Sequence, residues 1–238
     1  MNRPVITAYD WVPGFARGQV RDLRVRWALE EVGQPYEVRY VSQGRQKAPP
    51  HRALQPFGQI PTYEEEGLVL FESGAIVLHI AQKHEKLLPS DPAGKARTME
   101  WAFAALNTLE PPIGDYAIVT LFESDKPWSA QRLPAVRARI DERLGELSDR
   151  LGGREWLEEE FSAGDLLMIA VLRQIAGTDM LASYPNLLTY VARGEARPAF
   201  LKALADQMAG FTGEPPPQFA ERERRMKAGQ AEQEGEAA

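Results

Sequence analysis

The chain has 238 residues, enough for one large domain or two modest ones with a substantial buried core. It contains no cysteine, which excludes disulfides, thiolate metal sites and a cysteine nucleophile. Its 28 basic and 34 acidic side chains leave a net charge of -6, which argues against nucleic acid as a main partner and favours a small ligand.

In chain order, residues 4–9, PVITAY, read as a strand. No apolar signal segment precedes it, so a cytoplasmic protein is expected. RDLRVRWALEEVG then places Leu23, Trp27 and Glu30 or Glu31 at helical spacing, closed by Gly33 and Pro35. In YEVRYV, Tyr36, Val38 and Tyr40 alternate with Glu37, Arg39 and Val41, the pattern of a half-buried strand. Residues 42–56 are polar and broken by Pro49, Pro50 and Pro56, which predicts an irregular loop with at most a short helix. A strand TYEE, a turn at Glu66 and Gly67, a strand LVLF and a helix SGAIVLHIAQKH follow. The first half is therefore βαβ followed by ββα.

From about residue 93 the strands stop. RTMEWAFAALNTLE carries Met99, Phe103, Leu106 and Leu109 on one helical stripe, and VRARIDERLGELSDRL repeats Val136, Ile140, Leu144, Leu147 and Leu151 at intervals of three and four. FSAGDLLMIAVLRQI opens with Ser162 and Asp165 at capping-box spacing, flanked by Phe161 and Leu166 at staple positions. Its apolar run at residues 166–172 is far too short to span a bilayer. Two further helices are predicted near 185–194 and 198–209. After Gly213, prolines and mixed charges without apolar periodicity predict a flexible charged tail over 213–238.

The segments RVRWALEEVGQPYEV, KAPPHRALQPFGQIPTYEEEGLVLFESGAI and FSAGDLLM, in this order and spacing, resemble those of soluble glutathione transferases. The resemblance runs from about residue 4 to about 210. It implies an α/β thioredoxin-like glutathione-binding domain over 1–88, followed by an all-α helical-bundle domain over 93–212. It also implies a cis peptide before Pro61, which leaves the backbone of Ile60 to pair with the cysteinyl part of glutathione. Glu72 and Ser73 lie where a helix begins, and free N–H groups there attract a carboxylate. By the resemblance, Ser73 binds the γ-glutamyl carboxylate and Glu72 accepts from the ammonium group. Lys47 takes the glycyl carboxylate with Gln46 beside it, and Gln59 adds a polar contact.

Plainer roles stand beside these. Ser73 also suits a helix N-cap, Pro61 a trans turn, and Lys47 a solvated loop. Arg21, Arg24 and Arg26 read as the solvated face of an amphipathic helix, and Asp165 as a capping residue. His79 and His84 are five apart, unlike a helical metal pair, and His51 is isolated, so no metal site is expected. The resemblance also requires a group that favours the thiolate of glutathione near neutral pH, since a free thiol titrates near pH 8.5. Family members carry a Tyr, Ser or Cys at or just after the end of the first strand. Here DWVPGFARGQV has neither Ser nor Cys, and the nearest hydroxyl is Tyr9. The loop is longer than in tyrosine-type members, so Tyr9 facing the core is the competing placement. Arg17, near the start of the first helix, is a second candidate, set against a plain surface arginine.

What the resemblance implies is a homodimeric transferase that adds glutathione, its co-substrate, to a small apolar electrophile, with no metal and no membrane or nucleic-acid partner. Trp11, Trp101 and Tyr116 are candidate lining residues for the electrophile. The alternatives are glutathione-dependent reduction of peroxides or disulfides, and a noncatalytic glutathione-binding or scaffold protein of the same fold.

Overall fold

The structure, a computed structural model, describes residues 3–217 and 219. Strand β1 (Val5–Tyr9) leads through a long loop to helix α1 (Asp22–Val32), which ends at Gly33 with φ 73°. That left-handed position costs a glycine nothing and lets its N–H reach the carbonyls of Leu29 and Glu30. Strand β2 (Glu37–Val41) then pairs parallel to β1 with Ile6 opposite Val38. The polar stretch that follows holds a single 3-10 turn (Arg45–Lys47) and the four-residue helix α2 (Pro49–Arg52). Strands β3 (Thr62–Glu65) and β4 (Leu68–Phe71) form a hairpin whose two turn residues, Glu66 and Gly67, both have positive φ, as a type I′ turn requires. The sheet order is β2-β1-β3-β4, with β3 antiparallel to both of its neighbours. Helix α3 (Ser73–His84) closes this α/β half.

The remainder is helical: α4 (Pro92–Ala104), a π-turn (Ala105–Leu109), α5 (Glu110–Ala117), a second π-turn (Ile118–Phe122), α6 (Ser129–Leu151), α7 (Ala163–Leu172), α8 (Pro185–Glu195) and α9 (Pro198–Ala209). The described part of the chain is thus a thioredoxin-like sheet with helices followed by a helical remainder, the class expected from sequence. Helix α7 is the centre of the helical half, since all ten of its residues are buried. Its start carries the expected capping box, in which Asp165 also accepts from the Leu157 amide and the Tyr190 hydroxyl. In α6 the five predicted apolar residues are its buried ones.

Two expectations are corrected. Met99 and Phe103 of α4 are exposed, and the inward seam is Thr98, Ala102, Ala105 and Leu109. The segment is apolar on more than one face, and small residues face α7 because Gly164 approaches to where a Cβ would lie 2.7 Å from that of Trp101. Arg24 and Arg26 are not solvated: they are 4% and 2% exposed, because α1 is packed between the sheet and the helical half. Its Trp27 ring meets Phe161 and Phe200 at 5.7 and 4.9 Å. Arg26 and Asp22 form a buried pair at 2.8 Å. The predicted tail lies outside the described residues from 220 onward, as does residue 218.

Candidate functional site

The cavity that opens at the end of β1 is lined by Tyr9, by Gln19, Val20 and Arg21 ahead of α1, and by Gln46, Lys47, Gly58, Gln59 and Ile60, and has a volume of about 330 Å³. It therefore gathers five of the sequence-predicted site residues: Tyr9, Gln46, Lys47, Gln59 and Ile60. Pro61 follows in a cis peptide, as expected. One glycine and two side-chain bonds to carbonyls hold this wall together. Gly58 has φ 61°, and a Cβ there would stand 2.7 Å from the Gln46 carbonyl, so only glycine lets the two segments approach so closely. The Lys47 ammonium donates to the Phe57 carbonyl at 2.9 Å, while His51 Nε2 contacts the Gln59 carbonyl at 2.6 Å. The Gln46 side-chain oxygen is buried without a hydrogen-bond partner. Burial pushes the Tyr9 hydroxyl above its ordinary pKa, so it stays protonated and able to donate through the neutral range.

A second cavity of about 450 Å³ adjoins the first, and Arg21 lines both. It contains Glu72 and Ser73 at the start of α3, with Arg24, Phe103 and Glu110 on its other walls. Glu72 has φ 68° and ψ 114°, an unfavourable backbone state for a residue with a Cβ, of the kind that clusters at ligand-binding corners. Arg24 donates to the Ser73 hydroxyl at 3.3 Å and to both oxygens of Glu110 at 2.8 and 3.2 Å, and Arg21 adds a bond to Glu110 at 2.9 Å. Burial alone would raise the Glu110 pKa, but the two guanidinium groups hold it below the usual carboxylate range. Burial pulls Arg24 below its ordinary value, against the opposing pull of Glu110. The corner thus presents two cations and two carboxylates, a match for a zwitterionic amino-acid end.

The other predicted residues are placed apart. Arg17 is exposed and sits over the Phe211 ring at 5.7 Å, outside the cavity that Tyr9 lines. Trp101 donates its indole N–H to Glu158 at 2.9 Å beneath the Arg150 guanidinium, as a contact between α4 and α6. Trp11 is buried, its ring tilted against that of Phe219 at 5.3 Å, and Tyr116 is half-buried. Sequence reasoning missed Gln19, Arg21, Arg24 and Glu110. The Glu110 partners lie 86 and 89 positions away, and no local pattern reports a pairing at that range. Among the described residues no cluster of three or more His, Asp or Glu side chains suits a metal ion, and no helix is long and apolar enough to cross a membrane.

Comparison with known proteins points to one family. Residues 6–82 match the family model of the glutathione S-transferase N-terminal domain. A probable glutathione S-transferase of Oryza sativa subsp. japonica is 30% identical over 164 residues, which is 66% of this chain and 74% of that protein. Glutathione S-transferase F14 of Arabidopsis thaliana is 31% identical over 63% of this chain and 65% of its own. Among solved structures, a glutathione transferase from Burkholderia graminis, with two glutathione molecules bound per subunit, superposes with a TM-score of 0.75 at 27% identity, covering 85% of this chain and 87% of that one.

Proposed function

This chain belongs to the glutathione S-transferase family, and we propose that it binds glutathione across the two adjoining cavities and activates its thiol for addition to a small, apolar electrophile. The observation that carries this reading is the sharing of Arg21, which puts the Glu72–Ser73 corner next to the Tyr9, Lys47 and Ile60 cavity. In this reading Ser73 and the first amides of α3 hold the γ-glutamyl carboxylate, and Glu72 takes the ammonium. The Ile60 backbone pairs with the cysteinyl unit, and Gln46, Lys47 and Gln59 meet the glycyl end. The Tyr9 hydroxyl donates to the sulfur and so favours the thiolate. The electrophile sits where Phe15 and Phe122, both exposed, meet edge to face at 5.9 Å, between the loop after β1 and the turn after α5. The protein acts in the cytoplasm, as a homodimer.

The test is the ultraviolet thiolate absorbance of bound glutathione, titrated from about pH 5 to 10 around the free-thiol value, in the wild type and in Tyr9→Phe. A thiol pKa below that of free glutathione, rising in the mutant with loss of turnover on an aryl halide, is the expected result. An unshifted wild-type pKa favours a binding protein instead. A second reading, reduction of a peroxide by two glutathione molecules that end as their disulfide, draws support from the two glutathiones of the Burkholderia relative. Product analysis separates the two, since conjugation yields a thioether and reduction yields glutathione disulfide.

A further inference from the structure

We propose that Gln19 is a second side chain that meets the glutathione sulfur, and that Arg173, from the helical half, is the residue that positions it. This rests on the reading above, in which the cysteinyl unit lies at Ile60. Gln19 lines the same cavity as Ile60 and Tyr9.

The Gln19 carboxamide is underused. A glutamine carries two N–H donors and a carbonyl acceptor. Here one N–H makes a single long bond of 3.4 Å to the Arg173 carbonyl, which leaves the second N–H of that nitrogen to donate elsewhere, and the side-chain oxygen, buried without a partner, does not hold the carboxamide in place. Buried polar atoms are nearly always paired, and exceptions gather at sites with a ligand or catalytic role. An N–H turned on the sulfur stabilises the thiolate relative to the thiol, which lowers the thiol pKa.

The loop that carries Gln19 is fixed on both sides by the helical half. Arg173 follows the end of α7, is 9% exposed, and donates to the Gly18 carbonyl at 2.9 Å. Its Nε is paired with Glu195 at 2.6 Å, and its guanidinium lies 4.7 Å from the Phe200 ring, so it has little freedom to move. On the far side, Gln207 of α9 donates to the Val20 carbonyl at 3.1 Å and to Asp22 at 2.8 Å. The carbonyls before and after Gln19 are therefore both tied down, which sets where its side chain begins. The charged groups on this cavity are Arg21, engaged with Glu110, and Lys47, engaged with the Phe57 carbonyl. Both persist when Gln19 is changed.

The experiment is the thiolate titration of bound glutathione in the full-length protein, with S-methylglutathione affinity as the control because that ligand has no thiolate. Gln19→Ala is expected to raise the bound thiol pKa by about one unit, and Gln19→Glu by more, since a carboxylate repels the thiolate. S-Methylglutathione affinity should stay within about threefold in both. Arg173→Met keeps bulk over Phe200 and Arg173→Lys keeps a charge for Glu195, yet both lose the bond to Gly18. Each should raise the thiol pKa by a smaller amount. A lowered wild-type pKa that is unchanged in Gln19→Ala overturns the role of Gln19 alone. Arg173 variants that lose stability with no change in thiol pKa overturn its positioning role. A wild type that fails to bind glutathione, or binds it with an unshifted thiol, overturns this proposal together with the reading it rests on.

Discussion

Ser73 accepts a hydrogen bond from a buried guanidinium, so its hydroxyl is already oriented before any ligand arrives. Ser73→Ala removes one charge-assisted hydrogen bond to the γ-glutamyl carboxylate, worth roughly 1.5 to 3 kcal/mol, and calorimetry should show glutathione binding weakened about tenfold or more. Melting should change little by comparison, because Arg24 keeps both of its bonds to Glu110. Gly58 is a different kind of residue, important for what it lacks. Gly58→Ala forces a left-handed backbone on alanine and sets a methyl against the Gln46 carbonyl and the Lys47 side chain, at 2.7 and 2.8 Å. The segment must shift, and the expected result is weaker binding of intact glutathione with far less effect on γ-glutamylcysteine, which lacks the glycyl end. Equal losses for both peptides would contradict the placement of Lys47 at that end. Ile60, Pro61, Glu72 and Ser73 stood out in the sequence because a turn, a hairpin and a helix start leave local marks. Arg24 and Glu110 left none, since a buried arginine has the same spelling as a solvated one until its partner is known.

At the level of elements, the inward stripe of α6 was legible because the helix is strongly two-faced. Leu144 is fully buried on it, and Leu144→Ala should cost about 2 to 5 kcal/mol in denaturant unfolding. Helix α4 was misread by one position because it has apolar side chains on two faces and a π-turn at its end, which advances the register by an extra residue. It is held to α6 by Glu158, whose carboxylate takes bonds from Arg97, Trp101 and Arg150 at 2.8, 2.9 and 3.0 Å. Burial alone would raise the Glu158 pKa, but the indole and the arginines hold it below the ordinary value. A carboxyl lowered in the folded state stabilises the fold above the pKa of the unfolded chain and loses that contribution as the pH falls through the folded value. Glu158→Gln should therefore melt lower than the wild type at neutral pH and converge with it in acid. A pH-independent gap between the two melting curves would count against the carboxylate.

On the scale of the whole molecule, an apolar face remains beside the Ser73 corner. Phe57 and Phe103 are 62% and 60% exposed, and Phe57 meets Phe71 edge to face at 6.2 Å. Exposed aromatic surface of this kind suits an interface, and the proposed homodimer would use it. Light scattering should give a mass near twice 26.6 kDa, and Phe57→Ser should shift the protein toward monomer. A wild-type monomer at micromolar concentration would exclude the dimer. The division into an α/β and a helical part was also readable, because strand and helix periods differ. What the pattern did not show is how tightly the last helices hold the first loop. Gly18, Val20 and Asp22 are bound by Arg173 and Gln207, and the Asp10 carbonyl receives the Gly213 amide at 2.8 Å. This sets an order of events during synthesis. A ribosome that has released the strands and α1 has made the residues that would grip glutathione, but Trp27 still lacks Phe161 and Phe200, and the loop lacks its four anchoring bonds. The loop beside Tyr9 is thus fully anchored only when residues near 213 have emerged, so the proposed sulfur end of the site is the last part of it to be completed during synthesis.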